Sequence, residues 1–279
     1  MLTIIKKTSR TLVFLILFQI VWAYDVQTQL ILSDSMGKNI PATIILPETY
    51  KSGNDNYSVA YVLHGYGGDH TNWTMRTDIE DLADQYNVII VCPDGAKDSW
   101  YFDSVNDANY QYETHIIKEL IPFIDQNYKT NAHKNSRFIT GLSMGGHGAL
   151  FLAIRHPELF SAVASMSGGV DIRTSSHKWE LETRLGPKEE NELCWEEHSI
   201  LGLVHKFPKE GLRILIDCGV DDIFIQDNRK LHKELSDVKI PHDYIERPGG
   251  HSWRYWNRVI GYHLFFFLEM KLQIYYQYK

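Results

Sequence analysis

The stretch RFITGLSMGGHGAL, residues 137–150, decides how the chain is read. A short apolar run, Phe138-Ile139-Thr140, ends in Gly141-Leu142-Ser143-Met144-Gly145. An alanine- and leucine-rich segment then runs at helical spacing to His156-Pro157. Strand, sharp turn and helix, with a serine at the apex between glycines, is the pattern of a nucleophile elbow. Such a turn exposes the serine hydroxyl, and its glycines let strand and helix approach closely. Ser143 is therefore the candidate nucleophile. The plain alternative is a glycine-rich turn with an ordinary serine.

Outward from this stretch the same rhythm recurs. Residues 26–32 and 40–46 read as an antiparallel hairpin at a sheet edge, closed by Pro47. Residues 59–63, 88–92, 162–166 and 212–216 are apolar runs of the kind found in strands buried on both faces, and 242–246 is the last strand. Helical spacing marks 78–86, 112–128, 228–235 and 252–272. Strands alternating with helices predict an α/β fold with a mostly parallel central sheet and right-handed crossovers. Chemistry in such folds gathers beyond the carboxyl ends of the strands, where every glycine-punctuated motif of this chain falls. Residues 171–208 break the rhythm with polar sequence, Gly186-Pro187 and Glu189-Glu190. They are expected to form a lid or insertion over that edge, within one domain spanning 24–279.

Composition bounds the function. At 279 residues and 44% hydrophobic, the chain suits one sizeable α/β domain. A net charge of -7 argues against nucleic acid or an anionic membrane surface as partner. Lys6, Lys7 and Arg10 precede an apolar run over 12–22, and Val21-Trp22-Ala23 ends in a small residue. Residues 1–23 thus read as a signal peptide, too short for a membrane span, and the mature protein is expected to be secreted or periplasmic without stable membrane insertion. Three cysteines, Cys92, Cys194 and Cys218, allow at most one internal disulfide, and none has metal-ligand spacing to another Cys or His. Cys92 and Cys218 end buried strands and are expected to pack there.

A serine hydroxyl needs a base, normally a histidine held in one tautomer by a carboxylate. In the α/β-hydrolase order these follow as serine, acid, histidine. The carboxylates at a strand end downstream of Ser143 are Asp217, Asp221 and Asp222. Asp217 is still within its strand, and position alone does not separate the other two. His251, in the loop Pro248-Gly249-Gly250-His251 beyond the last strand, is the expected base. His147 is expected to pack in the elbow helix, His156 to cap its end, and His242 to be exposed. The oxyanion needs backbone donors, expected from Met144 and from Tyr66 in His64-Gly65-Tyr66-Gly67-Gly68. Trp100, Tyr101 and Trp253, with Trp256, are candidates to line an acyl or sugar site.

With HGYGGDHTNW, CPDGAKDSWYFDS, IDCGVDDIFIQDN and PGGHSWRYW placed around the elbow in this order, the chain resembles the esterase D-like family of α/β-hydrolases. That family includes S-formylglutathione hydrolase, tributyrin, feruloyl and acetylxylan esterases, and the mycolyltransferases. The resemblance covers nearly all of the chain after residue 23. It implies a catalytic triad of Ser143, Asp222 and His251, since the family's acid context C-G-x-x-D-x-[FL] falls on Cys218 to Phe224 and selects Asp222 over Asp221. It also implies Tyr66 as oxyanion donor and a serine carboxylesterase needing no metal or organic cofactor, acting on a small-molecule or polysaccharide ester. Export and the aromatic residues point toward feruloyl or acetyl esters of plant cell-wall polysaccharide. The alternatives are acyl transfer, as in the mycolyltransferases, and formylglutathione hydrolysis, which export argues against. A non-catalytic carbohydrate-binding hydrolase fold is opposed by the intact Ser143, Asp222 and His251.

Overall fold

The computed structural model describes residues 25–277, with side chains described through residue 269. The signal peptide expected over 1–23 lies outside the described residues. The chain opens with β1 (Asp25–Ser33) and β2 (Lys38–Leu46), a hairpin around the 34–37 turn. A short α1 (Thr49–Ser52) leads to β3 (Ser58–Leu63), then α2 (Asn72–Arg76), α3 (Ile79–Tyr86) and β4 (Val88–Pro93). After the 94–111 loop come α4 (Tyr112–Thr114) and α5 (Ile121–Asn127), then β5 (Arg137–Leu142), α6 (Met144–Arg155) and β6 (Ala162–Met166). Two short helices, α7 (Leu181–Leu185) and α8 (Glu192–His198), precede β7 (Arg213–Gly219). The last elements are α9 (Ile225–Asp237), β8 (Asp243–Arg247) and α10 (Trp253–Gln277).

The strands form one eight-stranded sheet in the order β1-β2-β4-β3-β5-β6-β7-β8. The β1–β2 and β2–β4 pairings are antiparallel and all others parallel. β3, β4, β5 and β6 are buried throughout, which is why their sequences read as unbroken apolar runs rather than alternations. Alternate residues of each strand feed two cores. One core holds Val59, Tyr61 and Leu63 against α5, α6 and α9, and the other holds Ala60 and Val62 against α3 and α10. Helix α6 is buried all round from Met144 to Ile154, a stretch that apart from His147 is apolar.

The helix expected over 112–128 is wound differently. α4 and α5 are joined by a π-wound turn, His115–Leu120. Pro122 at the start of α5 supplies no N–H, so the regular i→i−4 ladder cannot run through it, and the backbone shifts register just before it.

Residues 171–208, between β6 and β7, consist of α7, α8 and short 3-10 turns. Leu181, Leu185, Trp195, Ile200 and Leu203 are fully buried in the first core, so much of this segment is part of the body of the fold. The buried Arg184 ties it to the 94–111 loop. Its guanidinium donates to Asp98 (3.1 Å) and Asp107 (3.2 Å) and stacks 3.4 Å from the Tyr110 ring centroid, while Ser104 Oγ donates to its carbonyl (2.8 Å). All three cysteines are free, with Cys92 and Cys218 buried at their strand ends.

Candidate active site

Ser143 stands between β5 and α6 with φ 55° and ψ −116°, a conformation that non-glycine residues occupy only when their surroundings impose it. The flanking glycines are what make the turn passable. A Cβ on Gly141 would lie 2.4 Å from the Gly145 carbonyl oxygen, and one on Gly145 would lie 2.5 Å from that of His64. The turn leaves the serine half-buried while its neighbours are buried.

Three strand ends converge here. Ser143 Oγ donates to His251 Nε2 at 2.9 Å, across 108 residues of chain. His251 Nδ1 donates to both carboxylate oxygens of Asp222 at 3.0 Å each. This bifurcated contact fixes the tautomer that leaves Nε2 free to accept a proton. The ring is held edge-on by Phe224 (centroids 5.3 Å) and Trp256 (5.0 Å). Asp222 is 4% exposed and accepts the Phe224 amide at 2.9 Å, whereas Asp221 is exposed. The choice that the residues alone leave open therefore falls on Asp222.

Asp217, two positions before the end of β7, is bound elsewhere. Arg247 Nε donates to one of its oxygens at 2.9 Å and the Tyr255 hydroxyl donates to the other. It fastens β7 to β8 and to α10 and does not reach His251.

Across the cleft, the first amide of α6, that of Met144, has no intrahelical acceptor. The amide of Tyr66 has none among the described residues either. The turn bearing Tyr66 is braced by His64, whose Nδ1 donates to Gly65 O (2.8 Å) while its Nε2 accepts from Gly95 N (2.8 Å). Burial holds the pKa of this ring below that of an ordinary histidine, so the neutral tautomer that makes both bonds persists.

The cleft has a volume of about 510 Å³. Trp100, Trp253 and Trp256 line it, together with Ser143, His251, Gly65 and Tyr66. Tyr101 does not. It is fully buried behind the wall, its hydroxyl donates to His64 O (3.1 Å), and its ring fills the hollow left by Gly95 and Gly148, where a Cβ would come within 2.3 and 2.5 Å of it. Tyr101 thus supports the Tyr66 turn from beneath and is not part of the cleft lining.

His242, expected to be exposed, is half-buried. It accepts from His232 Nδ1 at 2.8 Å and donates to Ile240 O at 2.8 Å. His156 ends α6 and pairs with Glu113 at 2.7 Å. His147 is buried with both ring nitrogens facing carbonyls, His198 O at 2.8 Å and Trp100 O at 3.3 Å, and burial lowers its pKa to about 4.

The cleft also has lining residues that were not among the expected ones. Phe224 and Ile223 follow the acid on its loop, and Trp179 comes from the 171–208 segment. Trp100 Nε1 donates to the Trp179 carbonyl at 3.3 Å, and the two rings lie 6.0 Å apart. Both tryptophans have left-handed backbones, with φ 55° at each, as do Tyr101 and Glu180 beside them. Nothing in local sequence prescribes such a conformation for tryptophan. Among the described residues no group of three or more His, Cys, Asp or Glu could hold a metal ion, and no helix is long and apolar enough to cross a membrane.

The model of the Esterase family ("Putative esterase") matches residues 33–264. The chain belongs to this family. It is similar to an acetyl esterase of Caldicellulosiruptor saccharolyticus, 30% identical over 221 residues that cover 75% of this chain and 82% of that one. It is 27% identical to a bovine (Bos taurus) S-formylglutathione hydrolase over 79% of this chain and 85% of that protein. A solved ferulic acid esterase superposes with a TM-score of 0.74 at 25% identity, covering 88% of this chain and 97% of that one. With the family shown, the chain is a serine ester hydrolase of α/β-hydrolase fold.

Proposed function

We propose that this protein is an exported carboxylesterase acting through a Ser143–His251–Asp222 triad on acetyl or feruloyl esters of plant cell-wall polysaccharide. The observation that carries the reading is the unbroken hydrogen-bonded chain from Ser143 Oγ through the His251 ring to Asp222. His251 takes the serine proton as Oγ attacks the ester carbonyl, and Asp222 steadies the imidazolium that results. The amides of Met144 and Tyr66 receive the oxyanion. His251 then returns the proton to the departing alcohol, leaving an acyl-enzyme. Water, activated by the same ring, releases the acid and restores Ser143.

Support for the substrate comes from three sides. The tryptophan-lined cleft offers flat faces to an aromatic acyl group or a sugar ring. The relatives include proteins named acetyl esterase and feruloyl esterase. The amino-terminal pattern over 1–23 supports export. The test is kcat/KM for methyl ferulate, acetylated xylan and tributyrin. The cell-wall esters are expected to lead, and a flat, low profile across all three overturns the substrate assignment. Product analysis with added sugar or alcohol acceptors separates hydrolysis from transfer, with free acid expected as the main product.

A further inference from the structure

A second cavity, of about 380 Å³, opens beside the cleft, and Ser252 lines both. Its walls are the 248–250 loop, Ser252, Arg254, Tyr255 and Arg258. Arg254 and Arg258 are exposed, one turn apart at the start of the 25-residue helix α10. Their setting differs from that of most described arginines, Arg76 being the other one without a carboxylate. The arginines from Arg137 to Arg247 all hold a carboxylate, whereas neither Arg254 nor Arg258 has one among the described residues.

The placement is electrostatically unfavourable as it stands. The first turn of α10 contains no acidic residue, and the helix dipole disfavours cations at this end. In a chain with 35 acidic residues, two uncompensated guanidinium groups thus gather three and seven residues after the base. Arg258 is also fixed in place. Its Nη2 donates to Pro248 O, its guanidinium lies 5.3 Å from the Tyr255 ring, and it passes 3.6 Å from where Gly249 (φ +136°) would carry a Cβ. A preorganised guanidinium with free N–H groups, and a second cation beside it, is a seat for a carboxylate.

The side of the site on which the cavity lies identifies the part of the ligand. In the proposed reaction His251 hands its proton to the departing alcohol, so the alcohol portion leaves past His251 toward Ser252, where the two cavities meet. We propose that Arg254 and Arg258 bind a carboxylate carried by the alcohol part of the ester, as in an oligosaccharide bearing an acidic sugar. This rests on the esterase reading of the cleft and narrows its substrate class.

The experiment measures binding, so that it does not depend on turnover. In Ser143→Ala enzyme, calorimetry compares acetylated xylo-oligosaccharides with and without a glucuronic acid branch. The acidic ligand is expected to bind about tenfold more tightly at low salt, with the preference shrinking as ionic strength rises. Adding Arg254→Gln and Arg258→Gln is expected to bring the ratio of the two affinities to near one. Equal affinities in the arginine-containing enzyme, or a preference that salt and both substitutions leave intact, overturn the proposal. The salt series alone decides the matter if the double variant does not fold. The catalytic reading is tested separately, by nitrophenol release from short esters with Ser143 intact, so the two failures are distinguishable.

Discussion

The two walls of the cleft are built on different principles. The wall holding Ser143, His251 and Trp256 stands on the ends of the parallel strands β5 to β8 and the helices that follow them, so backbone hydrogen bonds of the sheet set its spacings. The facing wall, Trp100 and Trp179, hangs on loops kept in left-handed conformations by one indole hydrogen bond and the buried Arg184 pair. The difference separates two tasks. Reaction geometry is placed on the sheet, and the reach of the cleft is placed on loops, which meet the triad through the Trp179–Phe224 ring contact (5.4 Å).

Substitutions can break this division. Ser143→Ala is expected to lower kcat for 4-nitrophenyl acetate by about 10⁴-fold or more while thermal unfolding stays where it is. Asp222→Asn is expected to lower it by about 10³- to 10⁴-fold, because the amide no longer holds the His251 tautomer. Asp217→Asn, on the same strand but away from His251, is expected to destabilise the protein to urea far more than it slows turnover.

On the other wall, Arg184→Ala strands the buried Asp98 carboxylate, and urea unfolding is expected to show a loss of about 3–5 kcal/mol. Trp179→Ala is expected to reduce kcat/KM for methyl ferulate by about 5- to 10-fold and for 4-nitrophenyl acetate by less than about twofold, as removal of a stacking face of about 1 kcal/mol predicts. Equal losses on both esters would remove Trp179 from the selectivity wall.

A further effect depends on pH. His147, behind the loop wall, and His263, beneath the sheet, have pKa values lowered to about 4 by burial. The unfolded chain takes up these protons near pH 6.5 and the folded one only near 4. Stability is therefore full above about pH 6.5 and declines as pH falls toward 4, by up to about 3 kcal/mol for each group. Urea unfolding at pH 7 and pH 5 checks the sign, and His147→Gln is expected to reduce the difference.

The first wall could be read from the chain because its information is local. A strand pattern, glycines at fixed offsets and a histidine after the last strand name Ser143 and His251 directly. The acid was legible only to within two neighbours from the residues, since Asp221 and Asp222 differ by which way one turn points, and the family context was needed to choose. The second wall was not legible in the same way. Trp179 lies in a polar stretch, its backbone is left-handed, and its carbonyl meets the indole of Trp100, 79 residues earlier. The burial of Tyr101 escapes a local reading for a related reason. The glycines that bury it, Gly95 and Gly148, come from two separate segments, and only the fold brings both to one ring. His242 is half-buried against a histidine on α9, a pairing that strand periodicity does not encode.

The position of β8 has a kinetic consequence. It is the last strand of the chain, pairs only with β7, and its residues are at best half-buried, yet the loop that follows it delivers His251. An opening confined to this margin, much smaller than global unfolding, is enough to part the base from Ser143. Under heat or mild denaturant the enzyme should fall silent before its circular dichroism changes. On refolding, ester turnover should be the last signal to return, because it waits for the closure of a contact spanning 108 residues.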